Sequence, residues 1–231
     1  MRAESQALPP GFVRLADIAP KIRQDIRYAG AFNFTGQRVP GYDAAQCVLW
    51  RPAAEALGRA EARLAAQGFH LKVYDCYRPV RAVRAIVAWV REPRADQLKG
   101  VFYPDVDKSS LFALGYIAAH SKHSRGIAVD VGLVAGDEPQ ERPVPAKAGR
   151  CDGPFAARAR ETDLDLGTAF DCFSPASATR HPGISSAARA NRATLKAALA
   201  REGFQNYFRE WWHFEYRSPA EPTQPFDFPI R

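Results

Sequence analysis

Three short stretches of this chain carry side chains able to hold and use a metal ion. The first is SKHSRGIAVD, residues 121–130. His123 sits in a polar turn, and a strand follows it. Period-2 geometry puts Ile127, Val129, Val131 and Leu133 on one face and Ala128, Asp130 and Gly132 on the other. A carboxylate in an otherwise apolar strand needs a cation or hydrogen bonds. Zinc is such a cation, with imidazole nitrogen and carboxylate oxygen as ligands at about 2.0–2.2 Å. The second stretch is EWWHFEY, residues 210–216. In a strict strand His213 faces with Trp211 and Glu215, and Glu210 faces the other way. One site for both requires a bend, so Glu210 is expected at a loop-to-strand junction. The third is YDCYRP, residues 74–79, where Arg78 stands between a strand and a helix that starts with proline. Each stretch alone also has a plainer reading: an ion-paired aspartate at a sheet edge, an aromatic core strand, a structural arginine.

Together the stretches offer two neutral imidazoles and one carboxylate: His123, His213 and Asp130. Three protein ligands leave one position of a single zinc ion open, which is the catalytic pattern; structural sites close with four. Glu210 is then a spare carboxylate suited to general base work. His120 is a rival ligand, three residues before His123.

The elements that must position these residues follow from pattern and punctuation. PAAEALGRAEARLAAQ, residues 52–67, favours a helix opened by Pro52 and ended by Gly68. HLKVYD, 70–75, reads as a strand. A second helix starts near Pro79, with Val80, Val83, Val87 and Val90 as its apolar face. Residues 127–133 form a strand, a third helix runs from about Ser185 to Glu202, and residues 210–216 form a last aromatic strand. Residues 1–46 read as irregular, with 1–20 an N-terminal arm. Residues 134–182 read as an insertion with little regular structure, and 217–231 as a proline-marked tail. No repeated βαβ units occur. The expected fold is α+β in a single domain, 1–231, with a small antiparallel sheet and flanking helices.

No run approaches the ~18 apolar residues of a membrane span, so none is expected. The N-terminal MRAESQALPPGF has no apolar signal core. The net charge of +7 is read as a solvated basic surface. The arginines of residues 78–94 are spaced along a helix rather than interleaved with stacking aromatics, which argues against a nucleic-acid groove. The cysteines at 47, 76, 151 and 172 form no C-x-x-C pair, so a thiolate zinc site is not expected. They permit two disulfides, Cys47–Cys76 and Cys151–Cys172 being the simplest pairing and favouring a periplasmic location. Four buried thiols in the cytoplasm are the alternative.

S-x-H-x-x-G-x-A-x-D at Ser121–Asp130 and E-x-W-H at Glu210–His213 resemble the two signatures of the D-alanyl-D-alanine dipeptidases. These enzymes are known from vancomycin resistance and belong to the zinc D,D-peptidases that share the Hedgehog fold. The resemblance extends through YDCYRP and LGTAFD, residues 166–171, and spans residues 20–216. It implies hydrolysis of D-Ala-D-Ala to two D-Ala by a zinc-activated water. His123, Asp130 and His213 would hold the zinc. Glu210 would act as base and then acid, and Arg78 would stabilise the oxyanion. Asp171 and Ser121 would hold the substrate's ammonium and backbone, with Tyr116 and Asp75 as weaker substrate-binding carry-overs. The small dipeptide is the expected partner, with no nucleic acid and no membrane span; the oligomeric state is left open. The longer insertion between Asp130 and Asp171, and the cysteines at 151 and 172, depart from the family pattern. A D,D-carboxypeptidase acting on longer peptidoglycan stems and a non-catalytic zinc-binding module are the competing readings.

Overall fold

The computed structural model of the protein describes residues 7–93, 97–136, 148–159, 161 and 164–231. The chain's strands are β1 (Phe12–Arg14), β2 (Arg23–Gln24), β3 (Val48–Trp50), β4 (Phe69–Asp75), β5 (Ala128–Ala135), β6 (Phe204–Asn206) and β7 (His213–Tyr216). Its α-helices are α1 (Leu15–Ile18), α2 (Arg51–Ala65), α3 (Val80–Arg91), α4 (Lys99–Phe102) and α5 (Ser186–Arg201). The main sheet runs β2-β4-β5-β7-β6 and is antiparallel except at the short β2–β4 edge. A separate two-stranded sheet pairs β1 with β3. The result is the α+β architecture, with helices flanking a small sheet.

Local chemistry explains the elements that frame the cleft. Proline in the first turn opens α2, where its missing N–H costs nothing. Ser185 caps α5 by accepting the Ala188 N–H at 3.0 Å. In α3 the buried face is Ala82, Val83, Ile86, Trp89 and Val90, while Val80 and Val87 are only half-buried. The buried stripe is therefore rotated from the valine stripe, because burying the larger Ile86 and Trp89 removes more apolar surface from water. Arg81, Arg84 and Arg91 lie on the exposed side.

β5 is buried along nearly its whole length, with its apolar face in the core. One hydrophobic core includes Leu49, Leu57, Leu71, Val131, Leu199 and Phe214. It also takes in Phe12, Leu15, Ile26 and Tyr28 from the region that reads as irregular in sequence, and Ile230 from the tail. That region holds β1, α1 and β2. Beyond β5, the described part of 134–182 contains only a short 3-10 turn at Pro175–Ser177. The last aromatic strand is shorter than its sequence pattern: β7 begins at His213, and residues 207–212 form turns. All four cysteines are paired, Cys47 with Cys76 and Cys151 with Cys172.

Candidate metal centre and substrate cleft

The sheet places three site residues side by side. Asp75 on β4 is opposite Asp130 on β5, and Asp130 is opposite His213 on β7. Between Val73 and Asp75 the register shifts, making a bulge at Tyr74. A bulge re-aims the side chains next to it, and this one brings Asp75 level with Asp130. His213 reaches the row as the first residue of its strand, and Glu210 lies in the turn just before it. The Glu210 N–H donates to the Tyr207 carbonyl at 3.1 Å. That turn bends the chain enough for both side chains to face one cleft.

His123 arrives from the turn that leads into the start of β5. It sits in a 3-10 turn, Lys122–Arg125, whose cap Ser121 accepts the His123 N–H at 3.2 Å. Gly126 ends the turn at φ +69°, and a Cβ there would lie 2.4 Å from the Phe12 ring. Both the conformation and the close approach require glycine. The turn thus delivers His123 next to a strand whose next polar side chain is Asp130.

The three potential ligands converge. His123 Nε2 is 3.1 Å from His213 Nδ1. Asp130 Oδ1 is 3.0 Å from His213 Nδ1 and 3.3 Å from His123 Nε2. Ligand atoms about 2.0–2.1 Å from a tetrahedral ion stand roughly 3.3 Å apart, so the triangle fits one. His123 Nδ1 lies 2.6 Å from the Cys76 carbonyl, which only accepts. Nδ1 therefore carries the proton, and Nε2 presents its lone pair to the site. Two imidazoles and a carboxylate suit zinc among the divalent metals.

Electrostatics separate the carboxylates. Burial opposes the charge on Asp130, but the imidazoles of His123 and His213 hold its carboxyl well below the usual range. Burial also opposes charge on His213, yet its contacts with Asp130 and Glu215 raise its pKa to about 10. Glu210 lines the cleft, and burial there raises it to about 8, against the pull of His213 and Arg78. Asp171 is pushed well up by burial and by the Asp130 charge, although Tyr28 donates to its Oδ2 at 2.8 Å.

Arg78 lines the cleft and is held from behind. Its Nε donates to Asp75 Oδ2 at 2.9 Å, and its guanidinium lies 4.9 Å from the Tyr28 ring centre. Asp75 is fully buried, accepts the Tyr42 hydroxyl at 2.6 Å and does not line the cleft. Its place is behind Arg78 rather than against a substrate. Ser121, Tyr116 and Asp171 all line the cleft. His120 is exposed on the same wall and is not among the converging ligands. Sequence reasoning missed Tyr28, which braces both Asp171 and Arg78. It lies in the stretch that reads as irregular, and no local pattern marks it.

A family model described as D-ala-D-ala dipeptidase matches residues 9–142 and 148–231. This chain belongs to the D-Ala-D-Ala dipeptidase family. Among D-Ala-D-Ala dipeptidases, it is 33% identical to the D-alanyl-D-alanine dipeptidase of Enterococcus faecium over 221 residues, covering 96% of this chain and 98% of that one. It is 34% identical to the Streptomyces coelicolor enzyme of the same name, over 95% of this chain and 98% of that one. The Escherichia coli dipeptidase is 30% identical, over 90% of this chain and 86% of its own. Metal dependence is a property of this dipeptidase family, and the converging triad is a fitting place for the ion.

Proposed function

We propose that the protein is a zinc-dependent dipeptidase that hydrolyses D-Ala-D-Ala to two D-alanines. The observation that carries this reading is the convergence of His123, Asp130 and His213 in a cleft that Glu210, Arg78 and Asp171 also line. A zinc ion held by the triad would supply Lewis acidity, polarising the scissile carbonyl and acidifying water. Glu210 takes the proton of the attacking water and hands it to the leaving amine. A carboxyl with a pKa near neutrality is suited to both transfers. Arg78 donates to the oxyanion; losing such a donor costs about 3–4 kcal/mol of transition-state stabilisation. Its guanidinium stays charged throughout, and Asp75 fixes its plane. Asp171 pairs with the substrate's free ammonium, which supplies the cation this buried carboxylate lacks.

Selectivity for a dipeptide follows from that pairing. A longer peptide has no charge at that place and forgoes the ion pair with Asp171, a loss of several kcal/mol. The cleft volume of about 370 Å³ is near the low end of ligand pockets and suits a small substrate. An open-ended D,D-carboxypeptidase would not need a buried acid at the amino side. A non-catalytic zinc module would need neither Glu210 nor Arg78. No described helix is long and apolar enough to cross a membrane. The two disulfides fit an oxidising compartment, and we place the enzyme in the periplasm.

The deciding experiment is hydrolysis of D-Ala-D-Ala, L-Ala-L-Ala and an N-acylated D,D-tripeptide, with zinc and with chelator. Turnover is expected for D-Ala-D-Ala alone, abolished by chelator and restored by zinc. Faster cleavage of the tripeptide would favour the carboxypeptidase reading, and no metal-dependent turnover of any substrate would remove the enzyme reading.

A further inference from the structure

Asp171 adopts a backbone that aspartate seldom holds. Its φ is +57°, the sole positive value outside glycine among the described residues. Such a conformation costs of order 1 kcal/mol or more and persists only where the surroundings over-determine it. The residues on either side of Asp171 are both anchored, and the anchors lie outside the cleft.

On one side, the Phe170 N–H donates to Glu161 Oε2 at 2.6 Å. The Phe170 ring stacks on Tyr74 at 4.7 Å. Glu161 is itself buried and pairs through Oε1 with Arg27 Nη2 at 2.9 Å. Arg27 is buried too and pairs with Asp25 at 3.0 Å. On the other side, Cys172 is bonded to Cys151. The Cys151 backbone is tied in turn: its N–H donates to the Val101 carbonyl and its carbonyl accepts the Ala169 N–H, both at 2.8 Å. Neither Glu161, Arg27 nor the disulfide lines the cleft.

We propose that the Arg27–Glu161 pair and the Cys151–Cys172 disulfide are positioning groups for the ammonium subsite, clamping the chain on both sides of Asp171. The clamp bears on catalysis only through the Asp171 role proposed above. With both neighbours fixed, the left-handed conformation at residue 171 is enforced, and the carboxylate stays at the cleft wall beside the Tyr28 hydroxyl. Opening either anchor lets the backbone relax to negative φ, which swings the carboxylate away. A disulfide that merely stapled a segment poor in regular structure would lower stability without touching substrate binding.

A double-mutant cycle separates the two roles. KM and kcat for D-Ala-D-Ala are measured for Cys151→Ser/Cys172→Ser, for Asp171→Asn and for the triple variant, each with zinc content and Tm. Opening the disulfide is expected to raise KM about tenfold, with kcat changed less than about threefold and zinc content kept. In the Asp171→Asn background the same opening is expected to change KM less than about twofold, because the group it positions is already gone. An equal rise in KM in both backgrounds would overturn the clamp while leaving the Asp171 role intact. An unchanged KM in Asp171→Asn alone would overturn the ammonium reading and the clamp with it. Should the serine variant fail to fold, Glu161→Gln takes its place in the same cycle, with the same expected and overturning results.

Discussion

Asp130 and Glu210 share one cleft, yet their surroundings drive them in opposite directions. Asp130 is flanked by two imidazoles that favour its charge, whereas Glu210 is desolvated and raised to about 8. Pairs of carboxyls pushed apart in this way divide the labour, one fixed as an anion and the other able to carry a proton. Glu210→Gln is therefore expected to keep zinc, measured as metal per chain, and to lose about 10²–10⁴ in kcat. Near-normal turnover would remove the base assignment. His123→Ala removes a ligand and is expected to release the metal. His120→Ala, on the exposed rim, is expected to hold zinc and activity close to the parent. Loss of metal from His120→Ala would mean that the ligand set is drawn wrongly.

At the scale of elements, the site is built by a bulge, a turn and a shortened strand. Strand β5 was legible because its alternation is clean and Asp130 interrupts it. The ends of α2 and α5 were legible from Pro52, Ser185 and Gly203. The bulge at Tyr74 was not, because it depends on how β4 pairs with β5, and pairing is not a local property. The same holds for Tyr28 and β1, whose order comes from long-range partners. Of the valine stripe along α3, Val83 and Val90 lie in the buried face while Val80 and Val87 are half-buried, because two overlapping stripes both have helical spacing and only the core decides between them. One contact between elements makes a pH prediction. Glu202, just past α5, accepts Arg59 Nε and Arg63 Nε of α2, each at 2.7 Å. Those hydrogen bonds hold its carboxyl below the usual range. Its folded pKa lies below the unfolded value of about 4.3, so its stabilisation is complete above about pH 5 and fades as pH falls through the folded value. Both arginines are about half exposed, so the contribution is about 1 kcal/mol. Glu202→Gln is expected to lower the denaturation midpoint at pH 7 and to lower it less at pH 3. An equal loss at both pH values would assign the effect to packing.

For the whole molecule, the question is whether the metal folds the protein or only completes it. One core joins strands, helices, the N-terminal segment and Ile230. The disulfides close loops with separations of 29 and 21 residues. Cross-links of that span each stabilise by about 3–4 kcal/mol through the unfolded chain. The triad, by contrast, is three side chains at one end of two neighbouring strands, with Asp130 Oδ1 within 3.0 Å of His213 Nδ1 and 3.3 Å of His123 Nε2. The fold therefore stands without the ion, unlike a small zinc domain that unfolds when stripped. Binding still adds stability by mass action: free zinc at a thousand times Kd contributes about 4.1 kcal/mol. In a chain of this length 1 kcal/mol moves Tm by about 2–4 °C, so chelation is expected to lower Tm by about 8–16 °C. The far-UV circular dichroism at 25 °C is expected to stay unchanged, and Tm is expected to climb again with the logarithm of added zinc. Loss of the dichroism on chelation would make the metal part of the fold. A Tm insensitive to both chelator and zinc would mean that His123, Asp130 and His213 do not hold the ion.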